Sequence, residues 1–196
     1  ARFLRYGYPL LFILFFFEEV EQMIHAVRPA TPYWFEPYLY AADRWLFGEL
    51  PAIALSGWVG LIQDEIMHGF YFSYYFIVIG GVVLAYLGKK GRASPGAGFD
   101  TAITSMIFAY VLTFIWYPWL RARGPWENPE LMATLPSFEG FVFTPIIEWI
   151  IGQGAQSGGC FPSSHVAGSW GMVFGLARYH RRAAFLMGIV TVGLSI

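Results

Sequence analysis

The sequence predicts an all-α fold, a polytopic bundle of transmembrane helices forming a single integral-membrane domain over residues 1–196. Three observations carry that expectation. The chain is 57% hydrophobic and 20% aromatic with only 13% Asp, Glu, Lys and Arg, outside the range of soluble domains. Two apolar runs come close to the roughly 20 residues needed to cross a hydrocarbon core. Cations and acids also segregate to opposite sides of those runs, as the positive-inside bias requires. A mean hydropathy of +0.51 rules out intrinsic disorder. A formal charge of −1 leaves no basic face for nucleic acid, and Cys160, standing alone, excludes a disulfide scaffold.

About five helices are expected, in this order. Tyr6 to Phe17 is intensely apolar and runs into Glu18, Glu19 and Glu21, a first span with an acidic outer half. A Pro- and Trp-bearing stretch follows, Arg28 to Pro51. Ala52 to Met67 is apolar at first and ends in Gln63, Asp64 and Glu65, the pattern of a helix lying in the membrane interface. Phe70 to Gly88 and Thr101 to Leu120 are the two strong spans. Another begins near Pro162 and runs to Ala177. A last begins at Ala183 and is unfinished at Ile196.

Sidedness follows from the basic residues. Lys89, Lys90 and Arg92 mark one inner connection, Arg178, Arg181 and Arg182 a second, and Arg2 and Arg5 the inner flank of the first span. Of the 13 acids only Asp100 falls on that side. The segment from Arg121 to Cys160 is therefore expected to face the periplasm or another outer compartment, from an inner or plasma membrane. Both chain ends look cut, since the first residue is Ala and the last, Ile196, lies inside an apolar run.

Chemistry concentrates where a span begins on that outer side, at Gly159-Cys160-Phe161-Pro162-Ser163-Ser164-His165-Val166-Ala167. Pro followed by Ser is a sound helix start, and the first turn leaves N–H groups without helical partners. Those amides and the helix dipole form a seat for phosphate, and His165, in the first turn, can give or take a proton there. The second strong span ends in Tyr117-Pro118-Trp119-Leu120-Arg121-Ala122-Arg123-Gly124-Pro125, whose guanidiniums match phosphate oxygens in a fork geometry. Arg121 has the alternative of an interfacial anchor beside Trp119; Arg123, followed by Gly-Pro, is the stronger phosphate ligand.

These residues resemble the type 2 phosphatidic-acid phosphatase superfamily, and most closely its inositol-phosphorylceramide-synthase-like branch. Pro162, Ser163, Ser164 and His165 are similar to the family's Pro-Ser-Gly-His motif, with Ser164 at the usual Gly, and Arg123-Gly124-Pro125 to its upstream Arg-Pro motif. Asp43 to Pro51 and the Tyr-rich entry His68 to Tyr75 are softer similarities. Trp116 stands where the family's first motif often has Lys, and the third motif, Ser-Arg before a nucleophilic His, is absent before Ile196. The resemblance implies a six-helix phosphatase core of which about five helices are present, with the third motif immediately beyond Ile196. It implies a cofactor-free, metal-free double displacement on a lipid phosphate or phosphodiester. The later His attacks phosphorus to give a phosphohistidine, and His165 protonates the leaving oxygen. Arg123, with Arg121, Ser163 and Ser164, binds the phosphate oxygens. Water as second acceptor gives a phosphatase, an alcohol such as inositol a transferase.

Two other classes remain open. Glu18, Glu21 and His25 share a helical face, and Glu65-x-x-His68 repeats the spacing of bundle di-iron sites, so a metal-binding membrane protein is one rival. The other is a catalytically inactive family member serving as a structural subunit in a membrane complex with partner chains. The expected partners are otherwise the bilayer and the lipid substrate.

Overall fold

The computed structural model describes residues 2–27, 34–88, 97–154 and 157–196. The basic connection at Lys89, Lys90 and Arg92, and residues 28–33 of the Pro- and Trp-bearing stretch, lie outside the described residues. Among the described residues all regular secondary structure is helical, apart from one isolated parallel bridge between Ala122 and Gly159. The helices are α1 (Arg2–Val27), α2 (Glu36–Phe47), α3 (Pro51–Ser56), α4 (Leu61–Leu87), α5 (Ala97–Trp116), α6 (Pro129–Met132), α7 (Phe143–Gly154), α8 (Ser164–Ala177) and α9 (Arg181–Leu194).

Two of them, over Leu61–Leu87 and Gly98–Trp116, are long and apolar enough to cross a membrane. Only 17% of the first helix's most apolar stretch is buried against protein, which leaves most of its apolar surface to be covered by something else. The helix expected over Tyr6 to Phe17 extends further than its apolar run, since α1 continues through Glu18, Glu19 and Glu21 to Val27. The interfacial helix expected over Ala52 to Met67 divides differently. α3 is one short helix, Gly57 to Gly60 breaks it, and Leu61 to Met67 form the opening turns of α4. The polarity of Asp64 and Glu65 hides that continuity in the sequence. At 14 residues each, α8 and α9 rise about 21 Å, less than the roughly 30 Å of a hydrocarbon core.

The chain divides into two compact units. The first comprises residues 1–20, 70–115 and 163–196. Its core includes Ile77 and Ala85 of α4, Met106 and Tyr110 of α5, and Met172 and Leu176 of α8, all nearly inaccessible. Here α8 lies against α5 with almost no gap. A Cβ on Gly171 would stand 2.9 Å from the Met106 Cα, and one on Gly175 2.5 Å from the Ala102 Cα. Glycine one turn apart thus lets two backbones meet, since neither position puts a side chain between them. α9 returns along α8 after the turn at Arg178 to His180, where Tyr179 and His180 N–H groups both donate to the Leu176 carbonyl.

The second unit comprises residues 21–69 and 116–162. Buried acids organise it. Asp64 Oδ2 accepts the Glu139 N–H at 2.8 Å. The Glu65 carboxylate accepts the N–H groups of Phe141, Val142, Phe143 and Thr144 at 2.6 to 3.3 Å. A carboxylate on the free amides at the start of α7 meets both the hydrogen-bonding and the dipole demand of a helix N-terminus. Asn128 does the same for α6, accepting from Glu130 and Leu131 N–H groups while its side-chain amide donates to Tyr40.

Candidate functional site

Within the first unit, α8 begins as the sequence predicts. Ser163 is the N-cap, and its Oγ accepts the Val166 N–H at 3.4 Å. Ser164 is buried at the first helical position, and His165 follows in the same turn. The imidazole is flanked by two tyrosines of α4. Ring centroids lie 4.3 Å away for Tyr74 and 5.1 Å for Tyr71. Tyr71 and Tyr74 are three residues apart and share a helical face, which is why one ring of α8 can meet both. The Tyr74 hydroxyl is hydrogen-bonded to that of Tyr110 on α5 at 2.5 Å. Tyr110 in turn fills the space beside Gly168, where any side chain would collide with it.

Within the second unit, Arg121 and Arg123 lie together. Their guanidinium carbons sit 4.2 and 4.7 Å from the centre of the Trp34 ring, so one indole serves two cations. Arg123 is held by Glu36. Its backbone N–H donates to Glu36 Oε1 at 2.7 Å and its Nε–H to the same oxygen at 2.8 Å. Glu36 is 3% exposed, and its second oxygen is buried with no hydrogen bond. Arg121 donates through Nη2 to His25 Nδ1 at 3.5 Å, and its carbonyl accepts the Phe35 N–H at 2.8 Å. The strand-like bonds Ala122 N–H to Gly158 and Cys160 N–H to Ala122 tie this segment to the residues just before the Pro-Ser-Ser-His motif.

The acidic residues considered as metal ligands do not assemble. Glu65 is occupied by backbone amides, and His68 Nδ1 faces the Asp64 carbonyl at 2.9 Å and the Thr144 hydroxyl at 3.1 Å. Glu18 and His25 are exposed and Glu21 is half-buried. Among the described residues no group of three His, Cys, Asp or Glu side chains is arranged to hold a metal ion.

The chain matches no known family model, curated protein or solved structure. What it can do chemically therefore rests on its own residues. The α8 start combines an aromatic-flanked imidazole with the unpaired amides of a capped helix end, a place for an anion and a proton. The arginine pair supplies fork-shaped donors, with one of the two charges already balanced by Glu36. Burial, with the Glu127 and Glu36 charges near it, pushes the Cys160 thiol up to about 12 and so disfavours the thiolate.

Sequence reasoning misses three partners: Glu36, Trp34 and Tyr110. Each is distant in sequence from the residue it serves, and neither charge pairing nor ring stacking across such distances leaves a periodic signal. Tyr71 and Tyr74 are visible as part of a Tyr-rich run, but nothing in that run points to His165.

Proposed function

We propose that this protein is an integral-membrane phosphatase or phosphotransferase acting on a lipid phosphate or phosphodiester, of the type 2 phosphatidic-acid phosphatase kind. The observation that supports it most is the start of α8, where Ser163 caps the helix and the His165 imidazole stands in the first turn against Tyr74. In this reading α4 and α5, with α1, α8 and α9, make up about five helices of a six-helix membrane core. The reacting end faces the periplasm or another outer compartment, as the distribution of cations along the chain suggests.

In this reading His165, once protonated, gives its proton to the leaving oxygen as the phosphorus–oxygen bond breaks. The Ser163 and Ser164 segment holds phosphate oxygens at the helix end. In this family's reaction the attacking imidazole is a third-motif His, which is not among residues 1–196. Water or an alcohol then takes the phosphoryl group from it.

One observation favours a second reading, a non-catalytic structural subunit of a membrane complex. The Arg123 guanidinium is engaged by buried Glu36, the arrangement of a fold-holding ion pair. Activity separates the two. Purified protein in lipid nanodiscs is assayed for phosphate release or head-group transfer with phosphatidate, undecaprenyl diphosphate and ceramide-linked substrates. His165→Ala is expected to lower turnover by about 10²–10⁴-fold, the contribution of a positioned general acid. Full activity in that variant, or no turnover of any such lipid by the wild type, overturns the enzymatic reading.

A further inference from the structure

Resting on that reading, we infer that the groove between α1 and α5 in the first unit binds one acyl chain of the phosphate-bearing lipid and sets the depth at which its head group is presented. The groove has a volume of about 510 Å³, within the range of ligand pockets. Phe12 and Phe16 of α1 form one wall; Ile103, Ile107 and Val111, four residues apart on α5, form the other. Four-residue spacing puts those three side chains in one row along the helix.

Both ends of the groove bear on what fills it. At the C-terminal end of α5 it is lined by Tyr110 and Phe114. The Tyr110 hydroxyl is bonded to that of Tyr74, whose ring lies 4.3 Å from the ring of His165. The cavity is therefore one tyrosine pair away from the imidazole that the proposed reaction uses. At the other end Thr104 and Asp100 add polar groups to the lining beside Ile103 and Phe99. From Phe114 to Ile103 the α5 lining of the groove rises about 16 Å. That matches one leaflet's half of a hydrocarbon core, roughly 15 Å, the depth an acyl chain occupies. A chain entering beside Tyr110 runs its methylenes past Val111 and Ile107 and ends before Asp100, whose carboxylate stays exposed.

The probe is a long-chain phosphatidate with a diazirine near the end of one acyl chain, photolysed with the wild-type protein in nanodiscs and mapped by peptide mass spectrometry. Label is expected on Phe12, Phe16, Ile107 and Val111 in preference to Phe76 and Phe108, which are 66% and 63% exposed outside the groove, and to be competed away by unlabelled phosphatidate. Val111→Trp, which fills the groove, is expected to lower that labelling about tenfold, the loss of roughly two buried methylenes. A folding check by thermal unfolding accompanies it, and the wild-type map stands if the variant fails to fold. Label spread evenly over Phe76, Phe108 and the groove, or label that does not saturate, overturns the inference. Saturable groove labelling without phosphate release removes the enzymatic reading and keeps the groove. Phosphate release with evenly spread label removes the groove alone.

Discussion

Glu36 and Arg123 are 87 residues apart in sequence, and one carboxylate oxygen of Glu36 accepts both the backbone N–H and the Nε–H of Arg123. The two bonds fix the main chain and the side chain of the same residue at once. That leaves the guanidinium with little freedom to turn over the Trp34 ring. Whatever Arg123 binds, Glu36 sets its direction.

The first prediction concerns that pair. Glu36→Ala leaves Arg123 without its counter-charge and is expected to destabilise the fold by about 2 kcal/mol. That is below the usual cost of breaking a fully buried pair, because Arg123 is 27% exposed and solvent screens it. Glu36→Gln keeps the volume and one acceptor and loses less. Reversible unfolding in detergent measures both; equal stability of Glu36→Ala and wild type contradicts the assignment.

Glu65 makes a local prediction. With Glu65→Ala, the N–H groups of Phe141, Val142, Phe143 and Thr144 lose their acceptor, and the start of α7 should fray. Hydrogen exchange at those four amides is expected to quicken by about tenfold or more, with α5 unaffected. Unchanged protection at those amides would show that the carboxylate is not what holds them.

Two glycines should respond in opposite directions. Gly175→Val drives a side chain into the backbone of Ala102, and at this helix contact the expected cost is about 3 kcal/mol, at the upper end of overpacking. A methyl group added at Gly152 in α7 would meet nothing within 4 Å, so Gly152→Ala should stabilise by about 0.5–1 kcal/mol through reduced chain entropy. The reverse order in an unfolding series would refute the close approach of α5 and α8.

Cys160 gives a pH dependence. Its folded thiol holds its proton to about pH 12, whereas the unfolded thiol ionises from about pH 9.0. Between those values the unfolded state binds fewer protons, so this group's contribution lowers stability as pH rises through that window and is flat below it. Maleimide labelling should be slow at neutral pH in the folded protein and fast after denaturation. Rapid labelling of the folded protein at neutral pH would mean that the thiol is neither buried nor held protonated.

How much of this is legible in the residues depends on the range of the interaction. The cores of α4 and α5 follow from apolar runs of sufficient length, and the start of α8 from Pro162 and Ser163, because the features concerned lie within one helix or one turn. The opening of α4 reads in sequence as part of an interfacial helix because Asp64 and Glu65 look like a solvated end. Their charges are instead absorbed by amides of a segment about 75 residues later. The same limit hides the setting of His165, whose identity is plain in the motif and whose tyrosine neighbours belong to another helix.

The sequence by itself determined an all-helical chain, two helices apolar enough to cross a bilayer, and a capped helix start carrying a histidine, since hydrophobic run length and capping are properties of contiguous residues. Only the tertiary structure decided that Glu36 aims Arg123, that Glu65 serves α7, that Tyr74 links His165 to Tyr110, and that a groove runs along α5. Those relationships arise from packing between helices, where a partner is chosen by distance in space and by the cost of leaving a buried polar group unpaired.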